Sequence, residues 1–365
     1  MVRVWWRRLR CLLPGVIGLL LYLLLPLFPA FTETVMMRGV FRVVAFPLEW
    51  LLSLLPFSVT EVAVLLAVPT VLTLLILWVV RLCRRPNKRA VLVAGVRFVA
   101  LCASVGLLAF MLTCGCGFSR RSLGELMELP QRQYSGEELA AVTADLARKA
   151  SEAAATLPRD SEGGAALTVP LEELLLLGDD AYDNLREQYP FLISGTWRVK
   201  GVALSRAWSY TGYTGLYCPW LGEANVNVDI PACDLGHTIT HELGHTMGFA
   251  KEKECNFLGY LACITSGQPD YVYSGYLLAF VYCSNALYKY DKALWKEANS
   301  YCSAAMRRDL GLRNAYWKQF EGEVQDAAQK VNDTFIKVNG VQSGTLSYGE
   351  MVELMLRYYD KQGWI

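Results

Sequence analysis

The chain's three histidines, His237, His241 and His245, fall within nine residues, and two of them form the segment His241-Glu242-Leu243-Gly244-His245. On a helix, positions i and i+4 lie one above the other on one face, so the two imidazoles converge on one zinc ion. Glu242 flanks that face and can reach a metal-bound water. Zinc lowers the pKa of such a water, and the carboxylate takes its proton as it attacks a carbonyl. The spacing predicts Zn2+ as cofactor, His241 and His245 as metal ligands and Glu242 as catalytic base. His237 shares the helical stripe, but at i and i+8 the outer histidines stand about 12 Å apart along the axis, too far to serve one ion. It is expected as a neighbour of the site, a substrate-side group or a satisfied interior histidine.

A zinc ion that keeps one position open for water needs a third protein ligand. Gly248 predicts a turn after the motif. The metzincin pattern requires His or Asp at position 251, and Lys251 disfavours that class. Two carboxylates follow, Glu252 and Glu254. If a helix starts near Glu252, Glu254 aligns with Phe257, Leu258 and Leu261 on its apolar face, while Glu252 falls beside Asn256 and Gly259. A carboxylate on an apolar stripe is costly unless paired or metal-bound. Glu254 is therefore expected as the third metal ligand, with Glu252 the alternative; the plain reading of Glu254 is a salt-bridged acid at a helix start. Cys233 and Cys255 are weaker thiolate candidates, because no Cys-x-x-Cys pair accompanies them.

These residues must be positioned by the remainder of a 365-residue chain whose apolar excess lies at one end. A bilayer crossing takes about 20 apolar residues, and three stretches before residue 117 qualify: 11–31, about 62–80, and 91–114. Glu61 sits at the edge of the second, and Arg97 lies inside the third, from where its stem can snorkel. Basic residues favour the cytoplasmic side. Arg3, Arg7, Arg8 and Arg10 precede the first span, and Arg81, Arg84, Arg85, Lys88 and Arg89 fill the link between the second and third. The other loop, about 32–61, balances Arg38 and Arg42 against Glu33 and Glu49. This predicts a cytoplasmic amino terminus and a large extracytoplasmic domain over 118–365, with Arg120 and Arg121 arguing mildly the other way. Six cysteines of that domain, Cys218, Cys233, Cys255, Cys263, Cys283 and Cys302, are disulfide candidates or free thiols; Cys255 and Cys263, at i and i+8 of one helix, are too far apart to pair. The net charge of +1 gives no reason to expect nucleic acid.

Within 118–365, Ser135 and Glu138 make a capping box ahead of a helix running to Leu157. Residues 158–170 read as a linker and 171–189 as helix. Residues 198–230 carry Val, Tyr, Thr and Trp among glycines, as in short strands and turns. Val226-Asn227-Val228 is expected as an edge strand able to hold an extended peptide by backbone pairing. From Leu235 the pattern is helical nearly to the end, with breaks near Gly267-Gln268-Pro269 and Val338-Asn339-Gly340. The fold class is α+β, dominated by helices.

The sequence resembles the bacterial domain-of-unknown-function family 3810 (DUF3810), membrane proteins with a gluzincin-like motif. The resemblance runs through Leu204-Ser205, Ser209-Tyr210-Thr211-Gly212, Gly222-Glu223-Ala224-Asn225-Val226-Asn227 and His241 to His245. It continues through Gly248-Phe249-Ala250, Glu252 to Phe257, Tyr273-Ser274-Gly275-Tyr276, Val338-Asn339-Gly340 and Ser347-Tyr348-Gly349. It implies a zincin-like, membrane-anchored zinc metallopeptidase with ligands His241, His245 and Glu254 and base Glu242, acting on a peptide or protein. Tyr348, Tyr273 and Tyr276 are, by resemblance, candidate donors to a tetrahedral oxyanion. Two departures appear. Gly117-Phe118-Ser119-Arg120-Arg121 replaces an Asn-Tyr-x-Arg-like segment, and Leu258 stands where thermolysin-like enzymes place an Asp four residues after the glutamate ligand. The competing readings are an envelope sensor or scaffold with a structural zinc, and hydrolysis of another amide such as cell-wall peptide.

Overall fold

Three apolar helices are long enough to cross a bilayer: Arg10–Leu27, Val59–Arg84 and Lys88–Thr113. They appear in a computed structural model that describes residues 10–339 and 351–365. Arg3, Arg7, Arg8, Gly340 and Ser347-Tyr348-Gly349 lie outside the described residues. The first crossing is built mainly from α1 (Leu13–Leu24). Helix α2 (Arg42–Ser53) follows, then the two long crossings α3 (Val59–Arg84) and α4 (Lys88–Thr113). Each long helix starts earlier than its apolar run because a polar side chain caps it: Ser58 accepts from the Glu61 N–H, and Asn87 from the Ala90 N–H.

The stretch expected as a loop, 32–61, is mostly helical. Residues Thr32–Phe41 form a π-helix that runs into α2. The acidic residues of this stretch are engaged in tertiary contacts. Glu33 is buried in an ion pair with Arg120, at 2.8 Å, and Glu49 accepts a hydrogen bond from the Gly195 N–H. Met37, Phe41 and Ala45 pack with Leu25, Met111 and Cys116 where the crossing helices meet the rest of the chain.

The remaining residues are mainly helical around one small sheet. Helix α5 (Gly136–Ala154) begins at the expected capping box of Ser135 and Glu138, and α6 is Leu171–Asp180. Strands β1 (Lys200–Gly201), β2 (Gly215–Cys218) and β3 (Glu223–Val226) follow. The helices then run α7 (Ala232–Thr246), α8 (Glu252–Thr265), α9 (Pro269–Tyr290), α10 (Lys292–Ser300), α11 (Ala304–Lys318), α12 (Glu323–Val338) and α13 (Met351–Lys361). Ile239, Leu243, Phe257, Leu258, Leu261 and Leu277 from α7, α8 and α9 form the centre of the core. The cysteines are free thiols.

The sheet order is β1-β3-β2, with β3 parallel to β1 and antiparallel to β2. The strand expected at the edge is therefore central, and it spans Glu223–Val226 rather than 226–228. All four of its residues are buried, and its polar side chains are satisfied by the start of α3. Glu223 accepts from the Val59 and Thr60 N–H groups and the Thr60 hydroxyl, while Ser58 Oγ donates to Asn225 Oδ1 at 2.6 Å. Glu61 accepts from the Ala203 and Leu204 N–H groups. The sheet is thus bolted directly onto one end of the crossing helices, and β2 is an exposed edge.

Removing one partner of a buried ion pair strands the other charge and costs about 3–5 kcal/mol. Arg120→Met should therefore lower the thermal midpoint in detergent strongly, with Arg120→Met/Glu33→Gln recovering part of the loss. Arg120 and Arg38 hold the Glu33 carboxyl below its usual range although burial opposes them. The stability it contributes is present at neutral pH and lost as pH falls through its lowered folded-state pKa. Glu33→Gln should flatten that acid limb of stability against pH.

Candidate metal centre

Helix α7 presents His241, Glu242 and His245 in its last turns, and the chain then reverses at Gly248. This glycine has φ +79°, a conformation that costs other residues free energy. Its N–H closes onto the His245 carbonyl at 2.9 Å. The reversal brings the Phe249 carbonyl to 2.8 Å from His245 Nδ1. That carbonyl holds the proton on Nδ1 and leaves Nε2 as the free donor.

Helix α8 starts at Glu252 and lies against α7. At Gly259 a Cβ would meet the His241 backbone nitrogen at 3.2 Å and His237 Nε2 at 3.4 Å, so the two helices approach over a side-chain-free spot. This closeness swings the first turn of α8 over the histidines. Glu252 Oε2 lies 3.1 Å from His241 Nε2 and Oε1 lies 3.7 Å from His245 Nε2. One ligand atom from each of the three residues falls within 4.8 Å of the others. Zinc bonds near 2.0–2.2 Å in a tetrahedron place neighbouring donors roughly 3.4 Å apart, so the donor set and its spacing suit a small divalent ion.

Glu254 is not in this cluster. Two residues further along the helix turn its side chain by roughly 200°, away from the histidines. It is buried against the short helix Leu123–Leu126, where it accepts from the Leu123 N–H at 2.9 Å. The Leu123 N–H at a helix start satisfies Oε1, while Oε2 is buried without a hydrogen-bond partner. With Glu252 in the cluster, the residue four positions on is Asn256 rather than Leu258. His237 is buried beside the site, its Nε2 3.0 Å from the Asn256 carbonyl. Burial and His241 push its pKa down to about 3, so it stays neutral.

The centre lies in a cavity of about 600 Å³ lined by α7, by β2 with the residues before it, by Cys114 and Phe118, and by Val331 and Phe335 of α12. Burial raises the Glu252 carboxyl, but the His241 hydrogen bond and the two histidines outweigh it and bring it to about 2. Burial pushes the Glu242 carboxyl up to about 8, against the pull of His241. One Glu242 oxygen is buried without a hydrogen-bond partner. Arg313, held by Asp234 at 2.7 Å, also lines the cavity.

Of the tyrosines expected near the site, Tyr273 donates to Asp309 and Tyr276 packs on Tyr260, both away from the cavity; Tyr348 lies outside the described residues. The cavity tyrosines are Tyr213, Tyr217 and Tyr282. The Tyr217 ring stacks over His245 at 6.0 Å, and Tyr282 hydroxyl donates to Asn256 Oδ1 at 3.3 Å. No sequence motif marked these residues or Arg313, which converge from separate elements.

The family model described as a protein of unknown function (DUF3810) matches residues 37–356. The chain belongs to that family. No curated protein and no solved structure matches it. The DUF3810 match begins within the π-helix before α2 and ends in α13, so it includes α2 and the His241, His245 and Glu252 cluster. The segment Gly117-Phe118-Ser119-Arg120-Arg121 supports the site. Arg120 donates to the Met247 carbonyl and stacks on Phe249 at 3.8 Å, bracing the turn whose carbonyl orients His245.

Purified protein supplied with Zn2+ should carry about one ion per chain. Elemental analysis should show the ion lost in His241→Ala and Glu252→Ala but retained in Glu254→Gln, whose expected defect is stability. Loss in Glu254→Gln with retention in Glu252→Ala would reverse the assignment.

Proposed function

We propose that this DUF3810 protein is a membrane-anchored zinc metallopeptidase whose zincin-like domain faces the extracytoplasmic side. The supporting observation is the convergence of His241, His245 and Glu252 beside a buried Glu242 oxygen that lacks a partner, in a cavity walled by an edge strand. The orientation follows from Arg81, Arg84, Arg85, Lys88 and Arg89 between α3 and α4; Arg120, which argued the other way, is neutralised by Glu33.

His241, His245 and Glu252 would hold the ion, with the Phe249 carbonyl fixing the His245 ring. Zinc in that position would supply Lewis acidity toward a carbonyl and acidify a water. Glu242, which lines the cavity next to His241 and has one oxygen without a hydrogen-bond partner, is suited to accept that water's proton and return it to the leaving amine. Gly215 makes room for it: a Cβ there would come within 2.3 Å of Glu242 Oε1. Edge strand β2 can pair with an extended substrate. Arg313 and Tyr282 replace the expected tyrosines as candidate donors to a developing oxyanion.

Among the described residues the cluster offers three protein ligands. Cys255 Sγ approaches the Nδ1 side of His245 at 3.3 Å, on the ring edge turned from the cluster. His237 is committed to Asn256. A fourth position is left for water, as in catalytic rather than structural sites.

Glu242→Gln should retain zinc while hydrolysis of a mixed-sequence peptide library, followed by mass spectrometry, falls by about 10²-fold or more. Gly215→Ala should likewise keep the ion and lose most activity by displacing Glu242. Unchanged cleavage by Glu242→Gln would remove this carboxylate from the reaction.

A further inference from the structure

We infer that the substrate is itself anchored in the bilayer, and that it is cut a few residues outside its anchor. The inference rests on the peptidase reading and adds the substrate class. The cavity is built against the end of α4. Cys114 and Phe118, immediately beyond that helix, line it. Tyr217 hydroxyl donates to the Thr113 carbonyl at 3.2 Å.

Strand β2 leaves the site at Gly215, beside Glu242, and runs to the turn carrying Pro219 and Trp220. Trp220 Nε1 donates to the Gly106 carbonyl of α4 at 3.1 Å. Gly106 is seven residues before the end of that helix, roughly 10 Å down its axis. The indole is 58% exposed and sits on the flank of a membrane-crossing helix, where tryptophan favours the interfacial layer.

The opposite wall reaches the same place. Phe335 of α12 packs on Phe110 of α4 at 6.0 Å and on Phe118 at 6.1 Å. The carbonyl of Val338, at the end of α12, accepts from Tyr22 of α1. Both sides of the cleft therefore descend onto the crossing helices. Apolar side chains are exposed on both walls: Leu216 is 40% exposed and Phe335 43%.

A peptide extended along β2 from Glu242 to Trp220 covers about five residues, or roughly 16 Å. A chain emerging from the bilayer beside α4 meets the metal centre after that length. A soluble peptide gains nothing from the apolar descent, whereas an anchored one is delivered at high effective concentration.

The test reconstitutes the zinc-loaded full chain in phospholipid vesicles. It is offered one mixed-sequence peptide library in three forms: free, acylated at the amino terminus, and acylated at the carboxyl terminus. Spacers of two to sixteen residues separate acyl chain and library. In parallel, the Glu242→Gln protein with a benzophenone side chain in place of Leu216 is photo-crosslinked to the same peptides, which reads binding without turnover. The expected result is at least about tenfold faster cleavage, and preferential crosslinking, of one acylated form, with an optimum at roughly four to eight spacer residues. Equal cleavage and crosslinking of free and acylated peptides at every spacer would overturn the inference and leave the peptidase reading intact. Preferential crosslinking with no cleavage of any form would keep an anchored ligand and sink the peptidase reading. Neither cleavage nor crosslinking would remove both.

Discussion

The site depends on how closely α8 lies against α7. His241 and His245 are placed by helical spacing alone, but two imidazoles do not make a tri-dentate centre. The carboxylate comes from another helix, and its reach is set by the separation of the two axes at Gly259. A β-carbon there would press on the His241 backbone nitrogen at 3.2 Å and the His237 ring at 3.4 Å, leaving the two helices no slack at this contact. The Gly248 reversal serves the same contact, because it shortens the connection and returns the Phe249 carbonyl to His245. Ligand orientation and helix packing are therefore one constraint.

A second layer of charge holds that geometry. Arg120 is fixed by Glu33 from the segment between the first two crossings, and its guanidinium covers Phe249. A buried ion pair is weak evidence of net stability, since desolvation offsets the attraction. It is strong evidence that the two segments have one relative position, because a displaced partner leaves a charge unpaired in the interior. The turn after the motif is thus braced by residues from the membrane-proximal part of the chain. Glu223 does the same for the sheet, accepting at the first turn of α3, where the helix dipole favours an anion.

Much of this was legible in the sequence because it is local. The His-Glu-x-x-His spacing, the capping box at Ser135, the apolar crossings and the turn at Gly248 each rest on neighbours within a few residues. The choice between Glu252 and Glu254 was not local. Periodicity placed Glu254 on the apolar face and Glu252 beside Asn256 and Gly259, but it is Glu252 that lies within reach of both histidines, while Glu254 accepts from the Leu123 N–H. The signal that could have decided it was Gly259, which marks the face where α8 can approach another helix. The helical structure of 32–61 was likewise not local: Glu33 and Glu49 are buried only because the distant partners Arg120 and Gly195 pair with them. The central position of β3 was hidden similarly, since Glu223 and Asn225 look like exposed polar residues until the start of α3 is laid on them.

These contacts also place the boundary between anchor and domain. Composition changes near residue 117, yet the cavity takes one wall from Cys114 and Phe118, and its β2 wall is tied to the carbonyls of Gly106 and Thr113. A tether that only tethers would need no such contacts and could join the domain through any polar linker. Here the last turns of α4 shape the cleft, and α3 caps the strand next to the one flanking Glu242. The long apolar helices are structural parts of the site, which accounts for a candidate metal cluster built at the end of α4 rather than on the far side of the domain.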